Sequence, residues 1–166
     1  MTYRITAVCL GNICRSPMAE AVIRARAREA GLGDTVVVDS AGTGRWHVGQ
    51  GADPRALRAL HRRGYTLDHT VRQFHPDWTS DDHPLRPDLV LAMDTANHRE
   101  LLRLGVPPDT LRMMRAFDPA YVSGIPPDVP DPYDGGDGDF NDVLDMLENA
   151  ASGLILSLTA PTRRQP

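Results

Sequence analysis

The chain has 166 residues, 41% of them hydrophobic and 24% charged, with a formal net charge of −4. That length suits one domain with a sizeable core, and an acidic balance with scattered arginines excludes the basic footprint of a nucleic-acid-binding protein. No apolar run approaches the ~18 residues of a membrane span and the first residues lack the charged-then-apolar layout of a secretory signal, so a cytoplasmic protein without membrane contact is expected.

Strand and helix signals alternate along the chain. Tyr3 to Val8 predicts a buried strand, and Pro17 to Ala30 a helix with Met18, Ala21, Val22 and Ala25 on one face and Gly31 at its end. Thr35 to Val38 predicts the second strand, followed by a glycine-rich loop from Ser40 to Gly51. Asp53-Pro54 is a helix cap with proline at the first helical position, opening a short helix to Gly64. His69 to Arg86 is polar and irregular, a long surface loop with a short helical turn. Asp88 to Met93 predicts a third strand, Asp94 or Thr95 caps a helix ending near Gly105, and Leu111 to Phe117 predicts a fourth strand. Asp118 to Gly138, rich in Pro, Gly and Asp, reads as loop. Phe140, Val143, Leu144, Leu147, Ala151 and Leu154 form one face of a last helix reaching about Leu158. Residues 1–160 then make up the domain, and 161–166 a frayed tail.

This alternation predicts an α/β fold: a four-stranded parallel sheet with helices on both faces. Ligands of such sheets bind beyond the carboxyl ends of the strands. The turn after strand one, the Ser40 loop and the Asp118 to Gly138 loop are therefore expected on one rim.

The turn after strand one is Cys9-Leu10-Gly11-Asn12-Ile13-Cys14-Arg15-Ser16. A strand-to-helix turn wraps backbone N–H groups around a phosphate with a helix N-terminus behind it. Arg15 adds a planar fork for two phosphate oxygens, and that positive pocket favours the thiolate of Cys9. The pattern is that of a phosphate-binding nucleophile. Two cysteines inside one turn are no disulfide framework and fit a reducing compartment with catalytic or redox use. A thiolate that attacks phosphorus makes a phosphocysteine, and the leaving oxygen needs a proton. Asp128, Asp131, Asp134 and Asp137 on the strand-four loop could each supply it, and physics alone does not choose among them. Asp137 to Asp142 resembles a calcium loop only briefly, since Asp142 stands where the glycine is required.

The run Cys9 to Glu20, with Ser40-Ala41-Gly42-Thr43, Trp46-His47, His69, Arg72-Gln73, Met93-Asp94 and Asp131-Pro132-Tyr133, resembles the low-molecular-weight protein tyrosine phosphatases over essentially the whole chain. The resemblance implies Cys9 as nucleophile, Arg15 as the phosphate-binding group that stabilises the transition state, and Asp131 as general acid and then base. It implies a phosphate-binding turn formed by Leu10, Gly11, Asn12, Ile13, Cys14 and Ser16. Ser16 assists the thiolate, Asn12 is held in a left-handed conformation, and Ser40 and His69 support it. Trp46, Tyr133 and the Asp134 position border the substrate cleft. Cys14 is implied as a second thiol that traps oxidised Cys9 in a reversible disulfide. No metal or cofactor is called for, because the backbone turn and Arg15 supply the positive charge. Phosphotyrosine proteins or peptides are the implied partners, and a monomer or weak dimer the implied state.

The sequence departs from the resemblance where Asp134 replaces a second tyrosine, a charge expected to alter peptide preference. The segment from His75 to Pro87 is longer than the resemblance leads one to expect. A thiol-dependent arsenate reductase would need a cysteine on a distant loop, which is missing. An arginine phosphatase of the same type typically carries Thr at the Ile13 position, and Ile13, Trp46 and Tyr133 favour a flat aromatic leaving group. A non-catalytic phosphotyrosine-binding module would leave the filled catalytic positions without purpose.

Overall fold

A computed structural model describes residues 1–161. Four strands, β1 (Tyr3–Cys9), β2 (Val36–Gly42), β3 (Leu89–Ala92) and β4 (Leu111–Met113), form one sheet in the order β2-β1-β3-β4. Every pairing is parallel, with Tyr3 beside Val36, Ile5 beside Leu89 and Val90 beside Leu111. The central β1 places its carboxyl end, Cys9, at the middle of the rim.

Alternate side chains of each strand point to opposite faces, and the core divides accordingly. Ile5, Ala7 and Cys9 of β1 and Leu89 and Leu91 of β3 pack with helices α1 (Arg15–Glu29), α2 (Pro54–Arg62) and α4 (Asp137–Thr159). Val8, Val90, Ala92, Leu111 and Met113 pack on the other face, where α3 (Thr95–Arg103) supplies Leu101. Helices thus cover both faces, as expected. Among the described residues no helix is long and apolar enough to cross a membrane.

Several boundaries differ from the sequence reading. Helix α1 begins at Arg15, two residues before the expected Pro17. A proline within the first turn is tolerated because its missing N–H would have no partner inside the helix. Strand β2 runs on through Ser40, Ala41 and Gly42, which therefore belong to the sheet and not to the loop. A side chain at Gly42 would lie 2.7 Å from the Leu10 carbonyl oxygen, so the turn can close against β2 only there. Thr43 N and Gly44 N then donate to Cys9 O and Leu10 O, each at 2.9 Å. Strand β4 stops at Met113, and Met114–Phe117 forms a 3-10 turn. Its partner β3 has already ended at Ala92, leaving no ladder to continue. Met113 faces one core and Met114 the other. The last helix starts at Asp137, inside the expected loop, because Gly136 N donates to Asp139 Oδ2 at 2.8 Å and caps it. Asp94 is the cap of α3, accepting from Asn97 N at 2.7 Å. The expected tail from residue 161 lies, beyond Pro161, outside the described residues.

The segment from Val71 to Pro87 is irregular, with a 3-10 turn at Pro76–Thr79, yet it is more than surface loop. Phe74 N donates to Gly42 O at 2.7 Å, and Val71, Phe74 and Trp78 are buried. Phe74 and Trp78 meet edge to face at 5.1 Å, and the Arg72 guanidinium lies 4.6 Å over the Trp78 ring. The segment closes the second core where no helix does. Replacing Trp78 by alanine is therefore expected to cost about 3–5 kcal/mol, read as a lower midpoint in urea denaturation.

Candidate active site

The turn leaves β1 at Cys9 and enters α1 at Arg15, and both side chains are 3% exposed. Between them, Asn12 is the single non-glycine residue with positive φ among the described residues, at 55°. Asparagine tolerates this region better than most side chains. Its side chain is fully buried and completely bonded. Nδ2 donates to Ser16 Oγ at 2.8 Å and to Ser40 Oγ at 3.0 Å, while Oδ1 accepts from Arg72 N at 3.1 Å. The Arg72 N–H fixes which side of the amide is oxygen. His69 Nε2 donates to Asn12 O at 2.8 Å. Among the described residues the backbone N–H groups of Gly11, Asn12, Ile13 and Cys14 donate to no protein group. They stand with the N-terminus of α1 as an anion-binding concavity.

Ser16 Oγ, taking a hydrogen bond from Asn12, lies 3.0 Å from Cys9 Sγ and can turn its own proton toward the sulfur. The Arg15 guanidinium is anchored from one side: Nη1 donates to Asp94 Oδ2 at 2.6 Å and to Val129 O at 3.0 Å. Nη2 lies 3.5 Å from Asp131 Oδ2. Burial alone would lower the Arg15 pKa, but the negative charge of Cys9 and the bonded Asp94 outweigh it, and the net shift is upward. Arg15 therefore stays a cation in a dry site. Burial pushes the Cys14 thiol up, with Asp53, Cys9 and Asp131 adding to it.

Over this floor opens a cleft of about 200 Å3. Cys9, Leu10, Gly11, Ile13, Cys14 and Arg15 form its base, and Trp46, His47, Asp131 and Tyr133 its walls. Trp46 and Tyr133 are exposed, Trp46 at 68% and Tyr133 at 50%, so their rings frame the mouth. The structure brings together most of the residues that the sequence pointed to. Asn12, Ser16, Ser40 and His69 lie in a bonded layer below the cleft. Asp134 is exposed and does not line the cleft. Of the four acidic candidates, Asp131 is the one at the cleft. Asp128 accepts from Thr95 N and Oγ1, each at 2.9 Å, and Asp137 pairs with Arg58 and Arg62 on the flank. No group of three or more His, Cys, Asp or Glu side chains suited to a metal ion occurs among the described residues.

Several residues that carried the resemblance had been given no role in the site. Glu20, 7% exposed, accepts from Ser40 Oγ at 2.7 Å and from Arg24 at 2.5 Å, and its Oε2 lies 3.7 Å from His69 Nδ1. The signal was available: Ser16, Glu20 and Arg24 recur every four residues, a polar stripe on a helix whose first turns are buried. Asp94 serves both the α3 cap and Arg15, one oxygen each. His47 lines the cleft with Nδ1 3.0 Å from Gln50 Oε1. Arg72 Nε donates to Ser40 O at 2.9 Å and its guanidinium forms an ion pair with Asp39, Nη2 lying 3.0 Å from Oδ2, besides its backbone bond to Asn12.

A sequence model described as "Low molecular weight phosphotyrosine protein phosphatase" matches residues 4–164. A low molecular weight protein-tyrosine-phosphatase of Streptomyces coelicolor is 52% identical over 162 residues, 95% of this chain and 94% of that protein. The crystal structure of a protein tyrosine phosphatase from Entamoeba histolytica superposes with a TM-score of 0.83 at 37% identity, covering 95% of this chain and 97% of the other. The YwlE arginine phosphatase, in a mutant with a phosphorylated active site serine, superposes with a TM-score of 0.80 at 29% identity over 98% and 99% of the two chains. With its match running from strand β1 past the last helix, the chain belongs to the low molecular weight phosphotyrosine protein phosphatase family.

Proposed function

We propose that this protein hydrolyses phosphotyrosine in proteins or peptides through a phosphocysteine, with Cys9 as nucleophile, Arg15 as phosphate clamp and Asp131 as general acid and base. The observation that carries the reading is the convergence of three groups on one cleft, Cys9 and Arg15 from its base and Asp131 from its wall. The Cys9 sulfur is supported by Ser16 at 3.0 Å, the Arg15 guanidinium is fixed by Asp94 and Val129, and the Asp131 carboxyl stands 3.5 Å from that guanidinium.

In the first step the Cys9 thiolate attacks phosphorus opposite the phenolic oxygen. The S–P bond forms, the P–O bond breaks, and the proton of Asp131 passes to the departing phenolate. The turn N–H groups and Arg15 hold the equatorial oxygens, where charge is concentrated. In the second step water attacks the same phosphorus and gives its proton to the Asp131 carboxylate. The S–P bond breaks, and the Ser16 hydroxyl stabilises the returning thiolate. Phosphate leaves, and thiolate and protonated Asp131 are restored. The reported serine adduct of YwlE supports a covalent intermediate on this fold.

The walls favour an aryl group. Trp46 and Tyr133 offer flat ring surface at the mouth and Ile13 an apolar side chain at the base, while no carboxylate other than Asp131 lines the cleft to receive a guanidinium. Cys14 serves as the resolving thiol. Its raised pKa keeps it protonated at neutral pH. Peroxide oxidises the Cys9 sulfur to a sulfenic acid and is itself reduced to water, and the two sulfurs then condense to a disulfide with loss of a second water.

Phosphate release from phosphotyrosine, phosphoserine and phosphoarginine peptides, measured with EDTA present, tests the reading. Turnover is expected on phosphotyrosine and is abolished by Cys9→Ser; turnover confined to phosphoarginine would overturn the substrate assignment. Asp131→Asn is expected to lower kcat/KM on phosphotyrosine by about 10²- to 10⁴-fold and far less on aryl phosphates with acidic phenols; equal losses on both would remove its role as acid. After peroxide treatment, dithiothreitol is expected to restore the wild type more fully than Cys14→Ser.

A further inference from the structure

Arg55 lines no part of the cleft and takes no part in the steps above, yet it is tied to both sides of the site. On one side, Asp53 N donates to Ile13 O at 2.8 Å, which fixes the start of α2 to the phosphate-binding turn. Asp53 then receives Arg55 three times: Oδ1 from Arg55 N at 2.8 Å and Nε at 3.1 Å, and Oδ2 from Nη2 at 2.8 Å. On the other side, Arg55 Nη1 donates to Gly135 O at 2.9 Å. Its guanidinium lies 5.6 Å from the Tyr133 ring centre and 4.7 Å from that of Phe140. Tyr133 in turn donates its backbone N–H to Asp131 Oδ1 at 3.1 Å.

We propose that Arg55 is a positioning residue for Asp131: it spans from the turn that carries Cys9 to the loop that carries the acid and sets the distance between them. The proposal rests on the reading of Asp131 as general acid. A fork of five N–H donors with two flat faces is needed for this task, because it must meet a carboxylate edge-on, a carbonyl at its end and two rings at once. A lysine ammonium keeps the charge but cannot do all three. The Arg55 hydrogen bonds hold the Asp53 carboxyl below its usual range against the opposing effect of burial, so the anchor stays ionised at neutral pH. The loop between Asp131 and Gly135 has no regular structure of its own and no strand neighbour. Its bonds to the rest of the site therefore decide where Asp131 stands, and a displacement of about 1 Å at a reacting group costs about 10²-fold in rate.

The experiment is kcat/KM for Arg55→Met and Arg55→Lys across aryl phosphates of graded leaving-group acidity, with inhibition by inorganic phosphate as a probe of the Cys9–Arg15 turn. Both variants are expected to lose about 10- to 100-fold on phosphotyrosine, and progressively less as the phenol becomes more acidic, with phosphate inhibition unchanged. In an Asp131→Asn background Arg55→Met is expected to add no further loss. Should Arg55→Met not fold, Arg55→Lys carries the test. Equal losses along the series, weakened phosphate inhibition, or losses that add to those of Asp131→Asn would overturn the proposal, since Arg55 would then act on the turn or on folding. If Asp131→Asn itself shows no dependence on the leaving group, the general-acid reading fails and takes this one with it. A graded Asp131→Asn beside a flat Arg55→Met refutes Arg55 alone.

Discussion

The Asn12 side chain holds the site together. One amide with two N–H groups and one carbonyl is divided among Ser16, Ser40 and Arg72, so α1, β2 and the segment after His69 are each tied to the Cys9 turn. Without those three bonds a non-glycine residue at φ 55° would relax, because the left-handed region offers it no intrinsic preference. The cost of the conformation is met by burial of a fully bonded polar group, which is far less costly than burying an unpaired one. Glu20 extends the arrangement by bonding Ser40 and Arg24 and facing His69, which gives a polar layer between β2 and α1 in a helix otherwise packed by apolar side chains.

Above that layer the sheet topology does the rest. Parallel strands deliver their carboxyl ends to one rim, so the turn after β1, the cap of α3 after β3 and the loop after β4 converge without a special connection. Arg15 takes advantage of this. Its guanidinium bonds to a residue from each of the two later segments, Asp94 and Val129, and turns its remaining edge to the cleft. A charge buried to 3% exposure is tolerable only because these partners and Asp131 surround it.

Much of this was legible in the sequence, for reasons that differ by element. The strand-turn-helix at Cys9 to Arg15 is local chemistry, and local chemistry is written in consecutive residues. The helix cap at Asp53-Pro54 and the alternation of strands and helices were legible for the same reason. The end of β4 was not, because apolar side chains continue from Leu111 to Phe117 past Arg112 and Arg115, and only the length of its neighbour β3 says where pairing stops. The burial of Phe74 and Trp78 within a polar stretch was hidden because it depends on the part of one sheet face that α3 does not reach. Asp131 could not be separated from its acidic neighbours by composition, since its distinction is its distance to Arg15. Glu20 and Arg72 went unassigned because their partners lie on other segments, and the cleft wall at Asp134 was expected from a pattern in which that position is aromatic; here a small charged side chain stands exposed beside the mouth.

The bond from Arg15 to the Val129 carbonyl joins residues 114 positions apart, and that from Arg15 to Asp94 joins residues 79 positions apart. On the ribosome the chain emerges from its amino end, so the Cys9 turn is made early and its guanidinium is left without either anchor until most of the protein has been synthesised. The Cys9 turn is encoded at the start of the chain, but Arg15 takes the partners that fix it from segments made much later. The geometry of the site is thus a property of the completed fold and not of the turn that opens the chain.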